Sequence, residues 1–268
     1  MTAPQIRYTE PGPDGVARIT LDRPEARNAY SEEMIGELLA VIDRADADDR
    51  VRAVVLTGAG KAFSAGGDLK RMRERAGMFG GDTATLRKRY VELIQQIPRR
   101  LDRFDKPVVA AVNGPAIGAG CDLACMCDLR IAGRAAQFGS TFVKVGLIPG
   151  DGGAWILGRT VGFPRALEMV LTGRIVAADE ALAMGLVHRV VDDEALVDAA
   201  HDAAAEIAAL PPIAVQLAKR ATYRSYEMTL DQALELAATY QGITQRTGDH
   251  DEAVAAMLER RTPVFRGE

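Results

Sequence analysis

Histidine, cysteine and tryptophan are scarce in this chain, and each scarcity excludes something. Only three histidines occur, His188, His201 and His250, all far along the chain from its glycine-rich loops. Ser64 therefore has no imidazole placed to activate it, and "FSAGG" is not the G-x-S-x-G of a nucleophile elbow, so a serine hydrolase is not expected. The three cysteines, Cys121, Cys125 and Cys127, fall close together, but without C-x-x-C spacing and without a second ligand pair. Small buried thiols on a tight helix account for them better than zinc, and their odd number fits a reducing compartment. Charge of one sign is also missing: 33 Lys and Arg stand against 37 Asp and Glu, net −4, with no long basic run to follow phosphates, so nucleic acid is not an expected partner. The opening "MTAPQIRYTE" lacks the basic and apolar segments of a leader, and no apolar stretch is long enough to span a bilayer. A cytoplasmic protein without a membrane partner is expected.

The length suits an α/β core with a smaller appendage. "IRYTEPGPDGVARITL" reads as a β-hairpin around a Pro/Gly/Asp turn. Ser31 is placed to cap a helix carrying Met34, Ile35, Leu38, Leu39 and Ile42 at helical spacing, with Glu32 and Glu33 in its first turn. "VRAVVLTG" and "VVAAV" are strands buried on both faces. The loop after the first, "GAGKAFSAGGDLK", fails two nucleotide motifs: Phe63 stands where a dinucleotide fingerprint needs glycine, and Ala62 where a P-loop needs Ser or Thr. Residues 71–82 mix charge with glycine and are expected to be mobile. An amphipathic helix follows from Thr83, with Leu86, Tyr90, Leu93, Ile94, Ile97 and Leu101 on one face. The division expected is a core over 1–194 and, from Ala195, an alanine-rich helical region over 195–268 suited to packing on another subunit or on the core.

Two glycine-rich loops, each after a buried strand, carry an Asp: Gly66-Gly67-Asp68 and Gly118-Ala119-Gly120-Cys121-Asp122. Small residues let a ligand approach backbone N–H groups, and a donor in the first turn of a helix gains from its dipole. The same glycines also suit plain turns, and the residues alone leave both readings open.

Six stretches carry a resemblance: "LDRPEARNAY", "VVLTGAGKAFSAGGDL", "KPVVAAVNGPAIGAGCDLACMCDLRIA", "AQFGSTFVKVGLIPGDGGAWIL", "LTGRIVAADEALAMGLVHRVV" and "RRTPVF". In order and with few gaps, they resemble the crotonase superfamily, the enoyl-CoA hydratases and isomerases. The resemblance implies an α/β fold, a spiral of ββα turns with a C-terminal helical trimerisation region. It also implies an acyl-CoA thioester as substrate, no other cofactor and no metal, and a homotrimer or dimer of trimers. The family's oxyanion-hole amides fall on Gly67 and Ala119. Its coenzyme A contacts fall on Ala26 and Arg27 and on Ala65, Gly66, Asp68 and Leu69; Arg27 and Lys70 are candidates for the phosphates.

The proton-moving positions depart from the family. Hydratases of this kind carry two glutamates; here the first is Asp122 and the second is Phe142, which holds no proton and becomes a pocket-wall candidate. Asp122 is thus the expected catalytic carboxylate, shorter in reach by about one C–C bond, ~1.5 Å. Asp151 in "IPGDGGAW" is either a second carboxylate, one residue later than in relatives that place an Asp at 150, or the N-cap of the helix starting near Gly153. With both facing one apolar pocket, burial and mutual repulsion are expected to raise the pKa of one. One carboxylate suffices for double-bond isomerisation, whereas hydration uses two, so the reading leans to isomerase or a specialised hydratase. The alternative is a member of the family that binds acyl-CoA without turnover. Trp155 is expected in packing near the site floor, and Met72 and Met78 suit either an adaptable acyl-pocket wall or a plain surface helix.

Overall fold

The structure, a computed structural model, describes residues 3–268; Met1 and Thr2, the start of the stretch read for a leader, lie outside the described residues. In chain order the elements are β1 (Ile6–Thr9), β2 (Val16–Leu21), α1 (Glu32–Ala47), β3 (Ala53–Gly58), α2 (Leu69–Glu74), α3 (Thr83–Arg89), α4 (Gln96–Asp102), β4 (Val108–Val112), β5 (Pro115–Ile117) and α5 (Ala119–Met126). Then come β6 (Leu129–Gly133), β7 (Gln137–Gly139), α6 (Gly153–Val161), α7 (Phe163–Thr172), β8 (Val176–Ala177), α8 (Ala178–Ala183), β9 (Arg189–Val191), α9 (Leu196–Ala208), α10 (Pro212–Ser225), α11 (Leu230–Thr244) and α12 (Gly248–Glu259).

Six strands form one sheet in the order β1-β2-β3-β4-β6-β9, antiparallel only between β1 and β2. A smaller sheet, β5-β7-β8, runs beside it. The chain alternates between the two: β4 then β5 then α5, and β6 then β7 followed by helix, so each turn is strand, strand, helix. Earlier turns enter the smaller layer through single bridges, Tyr30 with Gly67 and Ser64 with Ala116.

Both faces of the large sheet are covered, which is why β3 and β4 read as unbroken apolar runs. Val54, Leu56, Val108, Ala110 and Val112 point to the main core, with Met34, Ile35, Leu38 and Ile42 of α1. The alternate residues Ala53, Val55, Val109 and Ala111 point the other way, onto Leu196, Ala200, Ala203 and Ala204 of α9. The expected boundary at 195 is therefore misplaced: α9 is the second cover of the sheet and belongs to the core. The appendage begins with α10, which is tied on by polar pairs, Lys219 to Asp128 at 2.7 Å, Tyr223 to Asp128 at 2.9 Å and Arg224 to Asp102 at 2.9 Å. Large apolar side chains of the last helices, among them Leu230, Leu234, Met257 and Leu258, are exposed.

Local signals act as read. Ser31 Oγ accepts from Met34 N at 3.0 Å and starts α1. The segment expected to be mobile is instead α2 followed by a 3-10 turn, Gly77–Phe79, whose Gly77 and Gly80 carbonyls both accept from Arg89. The helix from Thr83 continues to Asp102 but passes through a π-helical turn at Tyr90–Ile94, a feature that often marks functional sites.

Candidate active site

Because β3 and β4 are parallel neighbours, the loops that follow them emerge at the same end. They are stitched by Ser64 N to Pro115 O at 3.1 Å and Ile117 N to Ser64 O at 2.9 Å. Two glycines let them touch. A Cβ on Gly66, whose φ is +75°, would lie 2.4 Å from Ile117 O and 2.8 Å from Ala119 N; one on Gly120 would lie 2.2 Å from Ser64 O. A side chain at either position would pry the loops apart. The contact brings the Gly66–Gly67 peptide beside the first turn of α5, where Ala119 N–H is an unpaired helix-start donor. Gly118 O accepts from Cys121 N at 2.9 Å and Asp122 N at 3.1 Å, which turns the Ala119 N–H of the same trans peptide the opposite way. Among the described residues, neither Gly67 N–H nor Ala119 N–H has an acceptor.

Asp122 follows one helical turn after Gly118 and is completely buried, with Asp151 2 % exposed. No donor elsewhere among the described residues reaches any of their four carboxyl oxygens. Each interacts with the other. Burial first, then the negative charge of Asp151 and a hydrogen bond shared with it, hold the Asp122 carboxyl well above the usual carboxylate range. Burial also raises Asp151, with the bond from Asp122 offsetting part of that, so the two carboxyls form one coupled pair in which burial favours retention of a proton. The carboxyl of Asp122 lies directly against Gly153: a Cβ there would fall 1.9 Å from Oδ2.

The two readings of Asp151 are thereby separated. The N-cap of α6 is Gly152, with no side-chain cap, so Asp151 is not the cap. Its shift of one residue also has a physical reason. A Cβ on Gly150 would meet the Tyr90 ring at 2.7 Å, leaving no room for a carboxylate at 150. Tyr90, on the π-helical turn, lies near enough that after burial the charge of Asp151 is what raises its phenol.

Aromatic and thioether groups surround these backbones. The Phe142 ring stands 3.8 Å from where a Cβ of Gly118 would be; Met72 Cε and Phe79 Cζ lie over Gly67 at 2.3 and 3.8 Å from its absent Cβ. A cavity next to them is lined by Met78, Phe79, Arg89, Tyr90 and Ile94. Met72 and Met78 thus belong to this wall, while Trp155 does not reach the floor: it is 48 % exposed, with the Arg159 guanidinium 3.6 Å from its ring centroid.

Of the residues expected at coenzyme A, Ala26 ends a 3-10 turn and Arg27 follows with φ +53°; Ala65 N donates to Arg27 O at 2.9 Å, so 26–27 and 65–66 adjoin. Leu69 and Lys70 are exposed at the start of α2. The Asp68 side chain is committed elsewhere, capping Lys70 N and Arg71 N at 3.0 and 3.2 Å and pairing with Arg23 at 3.3 Å. Ser64 is structural too: its hydroxyl donates to Asn28 O at 2.8 Å and accepts from Gly66 N at 3.1 Å. The three cysteines are buried free thiols, with Cys127 pushed up to about 12 chiefly by burial. Sequence reasoning missed Asn28, whose amide donates to the carbonyls of Ala59, Ala62 and Phe63, and Tyr30, 1 % exposed beside both loops. An aromatic directly before a helix cap was the available signal for Tyr30.

Comparison with known proteins identifies the family. The family model described as enoyl-CoA hydratase/isomerase matches residues 12–268. The chain is 39% identical over 254 residues to 1,2-epoxyphenylacetyl-CoA isomerase of Escherichia coli (strain K12), covering 95% of this chain and 96% of the relative. It is 39% identical over 247 residues to the short-chain-enoyl-CoA hydratase of Clostridium acetobutylicum, covering 92% of each. Among solved structures, enoyl-CoA hydratase from Bacillus anthracis superposes with a TM-score of 0.92 at 35% identity, over 98% of this chain and 100% of that one. The chain belongs to the enoyl-CoA hydratase/isomerase family of the crotonase superfamily and is an enzyme of the hydratase/isomerase type.

Proposed function

We propose that this enzyme binds the thioester carbonyl of an acyl-CoA at the N–H groups of Gly67 and Ala119, stabilises the enolate, and moves protons with Asp122 and Asp151, favouring double-bond isomerisation over hydration. The observation that carries this is the buried Asp122–Asp151 pair, which has no donor but itself and so holds one proton in an apolar setting. In a 3-enoyl thioester, Asp151 takes the α-proton and the electron pair moves onto the thioester oxygen between the two amides. Asp122 then returns a proton at the γ-carbon as the enolate collapses to the 2-enoyl isomer. Removing one such amide donor typically costs about 10²–10³ in rate, so the two supply most of the stabilisation without a cofactor. Phe142, where a hydratase has its second glutamate, supports the preference, since an aromatic ring neither holds nor deprotonates water.

Coenzyme A runs outward along Ala26, Arg27, Ala65, Gly66, Asp68 and Leu69, with Lys70 and Arg27 toward its phosphates; the part of Asp68 is limited to its backbone. The exposed apolar side chains of the last three helices support a homotrimer or dimer of trimers, and light scattering of the purified protein tests the assembly.

The function is tested by mass spectrometry of 2-enoyl-, 3-enoyl- and 3-hydroxyacyl-CoA thioesters incubated in ¹⁸O-labelled water. Double-bond movement without label is the expected result. Incorporation of ¹⁸O would show that the two aspartates together activate water and that hydratase is the better name. No change in any thioester would overturn turnover on that panel.

A further inference from the structure

Tyr30 is among the largest fully buried side chains of the protein, 1 % exposed, yet it lies in no helix or long strand of the core. It stands between Asn28, fixed in the left-handed region at φ +54°, and the cap Ser31. Asn28 side-chain bonds to Ala59, Ala62 and Phe63 lock this short stretch onto the loop after β3, so the position of Tyr30 is set from outside the site.

From there Tyr30 touches both donor loops. Its N–H donates to Gly66 O at 2.7 Å. That carbonyl and Gly67 N–H belong to one trans peptide and point in opposite directions, so holding the oxygen from one side aims the N–H to the other. A hydrogen bond to the carbonyl end also polarises the peptide and strengthens the N–H as a donor. At the other end of the residue, the phenol donates to Ala119 O at 3.4 Å. Ala119 opens α5, so this contact bears on the helical turn that carries both the second donor, Ala119 N–H, and Asp122. One residue thus holds the first loop by its backbone and the second by its side chain.

Resting on the reading of Gly67 and Ala119 as the thioester-oxygen donors, we propose that Tyr30 is a positioning residue that fixes the separation and direction of these two N–H groups, its hydroxyl aligning the Ala119 turn. Its contribution falls on the transition state, because a donor displaced by a fraction of an ångström still admits the ground-state carbonyl but loses the developing oxyanion.

Tyr30→Phe removes the hydroxyl and leaves the ring, the packing and the backbone bond to Gly66 in place. In the full-length enzyme the expected result is a kcat lowered by about 10- to 100-fold with KM within about twofold. A second readout does not depend on turnover. Acetoacetyl-CoA bound at saturation should show a weaker enolate absorption per bound ligand in the variant than in the wild type. A purely structural tyrosine would lower the melting temperature and the active fraction but leave the enolate band per bound ligand unchanged, and that result overturns the inference. If the wild type neither turns over thioesters nor enolises acetoacetyl-CoA, the donor reading itself falls, and Tyr30 with it. Should Tyr30→Phe not fold, 3-fluorotyrosine at position 30 reads the same contact: a ¹⁹F resonance that moves on acetoacetyl-CoA binding supports the coupling, and one that stays fixed overturns it.

Discussion

Asp68 and Asp122 each follow a buried strand and a glycine-rich turn, in "AGGD" and "GAGCD", and they end in opposite chemical states. Asp68 is partly solvated. Burial alone would raise its carboxyl, but N–H groups of Arg71 and Lys70 and the Arg23 guanidinium outweigh it and hold the group below its ordinary value. Asp122 has no such partners, faces a second carboxylate, and is held well above that value. The two loops have the same sequence logic, and what separates a structural carboxylate from one able to carry a proton is the supply of donors around it. The first loop spends its Asp on capping α2 and offers only an amide; the second offers an amide and an acid.

The largest effect expected from disturbing this contrast is that of Asp122→Asn. It takes the proposed acid out of the pair, and kcat should fall by about 10²–10⁴, measured on the thioester that the wild type turns over best. The same variant should be more stable at neutral pH. Both carboxyls have folded-state values above the unfolded value of about 3.9, so between those values the native state binds more protons than the unfolded one, and stability falls as pH rises. An amide at 122 abolishes most of that slope. Calorimetry should show a higher melting temperature, by about 2–4 °C per kcal/mol recovered, and an unchanged or lower one would count against a strained pair.

Next in size is Gly153→Ala. Its methyl would occupy the space of the Asp122 carboxyl, 1.9 Å from Oδ2. The carboxyl must move, and since misplacement by about 1 Å can cost on the order of 10² in rate, kcat is expected to drop by about 10- to 100-fold. Binding of coenzyme A along the proposed 26–27 and 65–70 segments should survive, which equilibrium binding of a saturated acyl-CoA checks.

The pH dependence of kcat/KM sharpens the contrast further. With Asp151 as base and Asp122 as acid, activity is lost at low pH as Asp151 gains a proton and at high pH as Asp122 loses one, and both limbs belong to the pair. Both should lie above the ordinary aspartate range of about 3.9, and Asp122→Asn should leave only the acidic limb in its residual rate. The smallest effect is reserved for Asp68→Ala. Loss of the cap costs about 0.5–2 kcal/mol of stability, seen by urea titration, and KM should change more than kcat. Because the folded value of Asp68 is depressed, that contribution is present above the unfolded value and disappears as pH falls through the folded one.

Much of the architecture was legible because one physical signal dominated at each place. Doubly buried strands show as apolar runs, Ser31 marks a helix start, and the two Gly-rich loops stand out as a pair, although their glycines suit plain turns as well as a ligand site. What stayed hidden depends on contacts between segments distant in the chain. The alanine face of α9 looks the same whether it covers its own sheet or another subunit, so its place in the core had to come from Val55 and Val109 beneath it. The choice for Asp151 between cap and acid was undecidable locally, since Asp before a helix suits either; the structure puts Gly152 at the N-cap and buries Asp151 against Asp122, and the acid role rests on the proposed function. Tyr30 was overlooked for the same reason: its worth lies in Gly66 and Ala119, far along the sequence.

In the proposed mechanism Asp122 and Asp151 share one proton at neutral pH. Infrared difference spectroscopy of the wild type against Asp122→Asn and Asp151→Asn reads it directly. One protonated-carboxyl C=O band in the wild type at neutral pH, lost in Asp122→Asn, is the result predicted; a wild type with only ionised carboxylate bands would contradict it.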